Sequence, residues 1–584
     1  MLIQHQPALP YCCYDTAADK IVIRLVCGKE FTSVRVTYGD IHDYRESAKT
    51  NKEGKIIYDW YYEEAAMHKQ YTSSVKIVWQ AELTPPSCKR MKYAFILTDE
   101  YGKTFYFGDN GLMEDNDESK NEPHNQFFLP YAHKVDAPDV PHWARDVIWY
   151  QVFPERFYNG NPSISPPDTE DWETGVPTYY NFFGGDLYGV IEKLPYIKSL
   201  GITGLYLTPV FQSPSNHKYD TQDYFTVDEH FGDKKTLQEL VKQAHGLGMK
   251  VMMDAVFNHI GSKHMFWQDV LKNQEKSKYR DYFHIRSFPV LDSYADRHSI
   301  NYEIYGFSHN MPKWNTENPD ARKYLIDAAL YWIRECDIDG WRMDASDEVS
   351  FSFWRDFKNA ITAYKKDFYV LGEVWYNPSR WLEGGYFDAT TNYPLSREIR
   401  HFFLGANPEP DDFMGKLIDK LTRYSHLHGS IQLNLMDSHD TVRMLTQVGG
   451  DRLALKNAFL FMFFMKGAPC IYYGTEIGME GGYDPDCRRP MIWDEKKQDK
   501  ELLDFFKKLI ALRKMYNGLV QDASMIFTKN NDICRWSLSN SDDEIDIVYN
   551  SGNEDAVIIG DVLLAANDKA NGVLPAKSAS IYIR

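Results

Sequence analysis

The chain reads as an α/β protein: a (β/α)8 TIM barrel with an inserted subdomain after strand 3, an N-terminal β-sandwich and a C-terminal β-sandwich. Three observations in the 584 residues carry this reading. Eight short apolar runs between Val147 and Tyr473 alternate with amphipathic helical stretches, the rhythm of βα units. Three of the later runs lead to an acid, in the order Asp344, Glu373, Asp440. Acids repeated at strand ends are how such a barrel builds an active site. On either side of this region the pattern changes to short strands separated by turn residues.

Taken in order, residues 1–133 hold strand-like runs at Ile21–Val26, Phe31–Tyr38, Ser74–Trp79 and Tyr93–Leu97, the spacing of a sandwich. A polar stretch from Met113 to Asn125, then Pro138 and Pro141, marks a linker. The barrel is expected over 134–516. Its strands are predicted at Val147–Phe153, Gly204–Val210, Lys250–Val256, Gly340–Asp344, Phe368–Val374, Phe387–Asn392, Ile431–Met436 and Ala468–Tyr473. Helices are predicted at Tyr188–Leu200, Lys234–Leu247, Asp320–Cys336, Leu453–Met465 and Lys500–Met515. The stretch 260–318 is too long for a plain loop and is read as an inserted subdomain. Residues 517–584 return to strands at Ile533–Leu538, Ile545–Tyr549, Ala556–Ile559 and Ser580–Ile583, a small second sandwich.

Composition narrows the function. The net charge of −18, from 65 basic and 83 acidic residues, and the lack of a basic block argue against a nucleic-acid partner. No run of about 18 apolar residues is present, so no membrane partner is expected. The eight cysteines are scattered without a CxxC pair, and free thiols are expected. With no signal-peptide pattern after Met1, the expected location is cytoplasmic. There is no GxSxG elbow, P-loop or dinucleotide fingerprint.

The acids then suggest a chemistry. Arg342 and Asp344 lie two apart on a strand and share a face, so the guanidinium is expected to hold Asp344 ionised. Glu373 is expected to keep its proton through burial near Trp375 and the negative charge of Asp344 and Asp440. Two carboxyl groups with opposed tasks are what retaining glycoside hydrolysis needs. Asp254, Asn258 and His259 follow the third run, and His439 precedes Asp440; all four are candidates to grip sugar hydroxyls. Tyr219 is a candidate to stack on a sugar face. The histidines lack the paired spacing of a metal site.

The segments Asp254-Ala-Val-Phe-Asn-His259, Gly340-Trp-Arg-Met-Asp344, Gly372-Glu-Val-Trp375 and Asp437-Ser-His-Asp440 resemble the four signature regions of the α-amylase family. Tyr150-Gln-Val-Phe-Pro-Glu-Arg-Phe157, Ser215-Asn-His-Lys-Tyr-Asp-Thr221, Met311-Pro-Lys-Trp-Asn315 and Asp484-Pro-Asp-Cys-Arg-Arg489 are similar to its neopullulanase, cyclomaltodextrinase and maltogenic amylase group. The resemblance implies a retaining hydrolase of α-1,4 and sometimes α-1,6 glucosidic bonds. It implies Asp344 as nucleophile, Glu373 as acid/base and Asp440 as transition-state stabiliser, with Arg342 orienting Asp344. His259, His439 and Tyr219 would hold the sugar on the non-reducing side, Asp484 and Arg488 would reach further along it, and Trp375 and Glu348 would line the aglycone side. The N-terminal domain resembles a starch-binding module, which in this group forms a homodimer and narrows the cleft towards small or cyclic dextrins.

The reaction requires no cofactor. The family's Ca²⁺ loop is partly kept: Asn159, Asn161, Gly184 and Asp186 are candidate ligands, but Ile164 and Ser165 stand where two oxygen ligands are expected. Trp314 replaces the usual Leu and is expected to alter that wall of the cleft; Asp347 and Tyr376 depart from the group near the aglycone side. Two other readings compete: a transglycosylase or α-glucosidase on short maltooligosaccharides, and a catalytically silent α-glucan-binding protein. The second is disfavoured because all three acids are kept.

Overall fold

The computed structural model describes residues 2–50, 53–291, 300–405, 409–541, 543–558, 560–567 and 572–583. Eight parallel strands form the barrel: β1 (Trp149–Val152), β2 (Gly204–Leu207), β3 (Lys250–Ala255), β4 (Gly340–Met343), β5 (Tyr369–Gly372), β6 (Ala389–Thr390), β7 (Leu433–Asn434) and β8 (Ala468–Tyr472). They are ordered β6-β5-β4-β3-β2-β1-β8-β7, and a parallel bridge from Thr391 to Leu433 closes the ring. Each strand is shorter than its apolar run, because the chain leaves the ladder while its side chains are still buried. The five predicted helices are present at Leu187–Ser199, Lys234–Gly246, Pro319–Cys336, Arg452–Phe463 and Lys500–Met515. Asp186, Asp233, Asn318, Asp451 and Asp499 cap their N-termini, accepting backbone N–H groups that have no partner inside the helix.

Strand alternation sorts the side chains into two sets. Leu205, Leu207, Val251, Met253, Trp341 and Met343 join the large core between strands and helices. Trp149, Tyr206, Met252, Tyr369 and Leu371 form a separate cluster. Continuing along that second face, Asp254 follows Met252, and Glu373 follows Leu371. The apolar filling of the barrel therefore gives way to acids at the C-terminal ends of the strands.

The insertion contributes a helix at Met265–Asn273 and a hairpin of Ile304–Tyr305 with Ser308–Pro312. Residues 292–299 of the expected insertion lie outside the described residues, as does Ile559 of the expected C-terminal strand. Trp314 corrects an expectation. It is fully buried, stacked on Phe283 (centroids 5.1 Å apart), and donates from Nε1 to the Tyr224 hydroxyl at 3.2 Å. It anchors the insertion to the barrel and does not line the cleft.

The flanking β-regions meet. His68–Thr72 near the N-terminus pairs in parallel with Ser524–Asn530, so one sheet runs through both. The Gln70 side chain donates to Ala523 O (2.7 Å), and buried Arg24 donates to Tyr424 O (2.6 Å). All eight cysteines are unpaired. No described helix is long and apolar enough to cross a membrane.

Candidate active site

Arg342, on β4, organises the site. It is almost completely buried, and its terminal nitrogens face four carboxylates. Nη1 lies 2.7 Å from Asp344 Oδ1 and 3.1 Å from Asp254 Oδ2. Nη2 lies 2.7 Å from Glu373 Oε1 and 3.9 Å from Asp440 Oδ2. The second oxygen of Glu373 accepts the Ala345 N–H at 3.0 Å. Ala345 is left-handed, with φ of +42°, a strained conformation for a residue with a side chain. That turn aims its N–H back at the carboxylate on the neighbouring strand.

Asp440 lies on the loop after β7 among separate donors. Arg488 Nη2 is 3.2 Å from Asp440 Oδ1 and His439 Nε2 is 3.1 Å from Oδ2. Gln151, on β1, donates an amide N–H to His439 Nδ1 at 2.8 Å, which leaves the ring proton on Nε2, facing Asp440 and the Tyr219 hydroxyl. Arg488 also meets Asp484 at 3.0 Å and donates from Nε to His439 O at 2.9 Å. Gln151 was not foreseen, although a polar residue inside an apolar strand was a visible signal.

The protonation tendencies differ across this cluster. Burial drives Glu373 up to about 7; Arg342 pulls the other way and the charge of Asp440 adds to the rise. Burial also pushes Asp440 up, but His439, Arg488 and Arg342 outweigh it and hold it below the usual carboxylate range. Asp344 corrects an expectation: burial and the charge of Glu373 push it well above the ordinary value, against the pull of Arg342. The guanidinium orients Asp344 and lowers its proton affinity, but by less than burial raises it. Burial holds His439 at about 3, so the ring is neutral near pH 7.

Of the three residues after β3, Asp254 departs from the sequence reading. Asp254 is fully buried, and its carboxylate accepts hydrogen bonds from Tyr206 and Tyr219 (3.0 Å each) and from Arg342. It therefore positions Tyr219 and Arg342 instead of gripping a sugar. Asn258 is buried and donates to Glu348 Oε2 at 3.2 Å, while Lys313 holds Glu348 at 2.8 Å. His259 is buried beneath Tyr305, with centroids 4.4 Å apart and planes 12° apart, and its Nε2 has no protein partner. Tyr305 sits in the insertion and feels the charges of Asp344, Glu373 and Asp440. Nothing in its sequence context marked it. Trp375 stacks on Tyr393 at 3.7 Å and leaves 44% of its surface exposed, a platform at the end of β5. Tyr376 follows it in the chain, and burial together with the nearby Asp347 carboxylate raises the Tyr376 hydroxyl.

The candidate calcium residues do not fit the ion. The Asp186 carboxylate already accepts N–H groups from Gly189 (2.6 Å), Asn161 (2.8 Å) and Gly160 (3.2 Å). Asn161 Oδ1 accepts the Ser163 hydroxyl at 2.7 Å. Ser165 Oγ accepts from Asn159 Nδ2 at 3.0 Å, and Ile164 O accepts from His230 at 2.7 Å. Of these side-chain oxygens, only Asn159 Oδ1 is buried without a partner. With the Gly184 carbonyl, the free donors fall well short of six to eight oxygens.

Residues 151–522 match the model of the α-amylase catalytic domain, and residues 1–133 match that of the α-amylase N-terminal ig-like domain. The chain is 40% identical over 555 residues to the intracellular maltogenic amylase of Bacillus subtilis, covering 94% of this chain and 91% of that one. It is 40% identical over 477 residues to neopullulanase 2 of Thermoactinomyces vulgaris, covering 81% and 80%. A solved cyclomaltodextrinase structure superposes with a TM-score of 0.86 at 37% identity, covering 99% of both chains.

Proposed function

The chain belongs to the α-amylase family of glycoside hydrolases, and from that premise we propose that it cleaves α-1,4-glucosidic bonds of cyclodextrins and maltooligosaccharides with retention of configuration. Its reach extends to pullulan and to α-1,6 bonds. The observation that carries the reading is the Arg342 fork, which holds Asp344 and Glu373 on adjacent nitrogens at 2.7 Å each. Two carboxyl groups so tied are close together. That favours the short separation of retaining enzymes, about 5–5.5 Å, over the about 6.5–9.5 Å that leaves room for a water in inverting ones.

In the first step the ionised form of Asp344, held by Arg342, attacks the anomeric carbon while Glu373 gives its proton to the departing glycosidic oxygen. The C–O bond breaks and a glucosyl ester of Asp344 forms. Glu373, now ionised, takes a proton from water, which displaces Asp344 and restores both groups. Glu373 at about 7 is poised for both roles near neutral pH. Asp440, ionised among Arg488 and His439, faces the sugar whose ring carbon becomes positive. Trp375 and Tyr393 offer a stacking face to the leaving sugar. A sugar hydroxyl arriving in place of water turns the second step into transfer.

Initial rates on β-cyclodextrin, soluble starch and pullulan test the substrate class, with the cyclic dextrin expected to be fastest. Starch turned over as well as cyclodextrin would point to an open groove, and no turnover of any would sink the reading. Proton NMR of the first product should give the α-anomer; a β-anomer would exclude retention. The intracellular maltogenic amylase among the relatives supports a cytoplasmic role, and the proposal includes a homodimer formed through residues 1–133. Sedimentation of the full chain at twice the monomer mass is the outcome expected.

A further inference from the structure

A cavity of about 610 Å³ lies behind the loop that carries Asp484 and Arg488, outside the catalytic cluster. Its volume falls within the about 300–1,000 Å³ usual for small-ligand sites. One wall is the segment 172–177 and the other is 489–497. Two bonds pin these walls together: Trp172 Nε1 donates to Met491 O at 3.0 Å, and Lys497 pairs with Glu173 at 2.9 Å. Trp493 is fixed as well, donating to Phe157 O at 2.6 Å and packing edge-on against Phe157 and Tyr196. The cavity thus has two indole rings whose N–H groups are already engaged; Lys193 lies over the Trp493 ring at 4.9 Å, and Trp172 brings the other ring to meet an apolar face.

The charges of the lining nearly cancel, with three cationic side chains against four carboxylates. Arg489 grips Asp486 through both nitrogens, at 2.7 and 2.8 Å, and Lys497 is held by Glu173. Such a lining has no net attraction for a phosphate or a polycation. It offers oriented acceptors and donors beside anchored aromatic rings, which suits a neutral ligand with apolar C–H faces and a rim of hydroxyls. A pyranose has that surface.

We propose that this cavity is a second binding site for a linear maltooligosaccharide, separated from the catalytic site by one shared loop. The proposal rests on the α-glucan reading above. Along this loop, Asp484 and Arg488 turn to the catalytic carboxylates while Asp486 and Arg489 turn to the cavity. A sugar in the cavity therefore bears on the strip that sets Arg488 against Asp440.

The test is calorimetric titration of maltotriose into the full chain carrying Glu373→Gln, which binds without turnover. Two sites per chain are expected. Adding Trp172→Ala should abolish one and leave the other unchanged. Adding Glu480→Ala, on the exposed rim and remote from the core packing, should weaken the same site several-fold. A single site that survives Trp172→Ala, or two sites indifferent to both changes, overturns the proposal. The unsubstituted enzyme, assayed in parallel on β-cyclodextrin, separates the two readings. Turnover with a single site discards the cavity alone, whereas no turnover and no binding discards the α-glucan reading and the cavity with it.

Discussion

Replacing Asp440 by Asn should lower the pKa of Glu373, and the structure gives the size of the effect. Glu373 Oε1 and Asp440 Oδ2 lie 2.7 and 3.9 Å from the same nitrogen of Arg342, so their separation is at most the sum of these, about 6.6 Å. The Asp440 side chain is 27% exposed, the most open of the four, so water screens its charge. With an effective dielectric constant of about 20, two unit charges about 6.6 Å apart repel by about 2.5 kcal/mol. At about 1.36 kcal/mol per unit, that is roughly 1.8 pKa units. Glu373 acts first as an acid and must be protonated, so kcat/KM falls as pH rises through its free-enzyme pKa, about 7. In the Asp440→Asn enzyme the alkaline midpoint should move down by about one to two units. The assay is residual kcat/KM on β-cyclodextrin from pH 4 to 9 at high enzyme concentration. The midpoint is the readout, so a large loss of rate does not blur it. A midpoint that stays at the parent value or rises would refute both the charge coupling and the assignment of the alkaline limb to Glu373.

Three further outcomes are expected. Asp344→Asn should cost on the order of 10⁴-fold in turnover, since the group that bonds to the sugar is lost; single-turnover rates within tenfold of the parent would move the nucleophile elsewhere. Trp314→Leu should lower thermal stability by about 1–3 kcal/mol through lost burial and stacking, while leaving the product pattern from maltotetraose unchanged. A changed pattern at unchanged Tm would return Trp314 to the cleft wall. Exhaustive EDTA treatment should leave the melting temperature unchanged in scanning fluorimetry, because Asp186 and Asn161 are already engaged by their own chain. A fall of several degrees reversed by Ca²⁺ would show that the loop does take the ion.

The barrel and its acids were legible because they are matters of period and order. A strand buried on both faces writes itself as an apolar run, and an acid at its end stands out against that background. Arg342 and Asp344, two apart, had to share a face. Trp314 was misread because a substitution within a motif says that a side chain differs, not which way it points. Asp254 was misread for a related reason: a motif acid is equally visible whether it meets a sugar or holds a tyrosine. Tyr305 was invisible, being one aromatic among many in a long insertion whose path the local sequence does not encode.

The sequence by itself determined which residues carry ionisable and stacking chemistry, and along which strands they fall, since side-chain direction in a strand follows from local geometry. Only the tertiary structure decided that one guanidinium faces four carboxylates from three strands and a loop. It alone brought the N-terminal strand at His68–Thr72 against the C-terminal one at Ser524–Asn530, and put a cavity behind the loop of Arg488. These depend on contacts between residues from tens to hundreds of positions apart, whose proton affinities and exposure are set by neighbours that become neighbours only when the barrel closes.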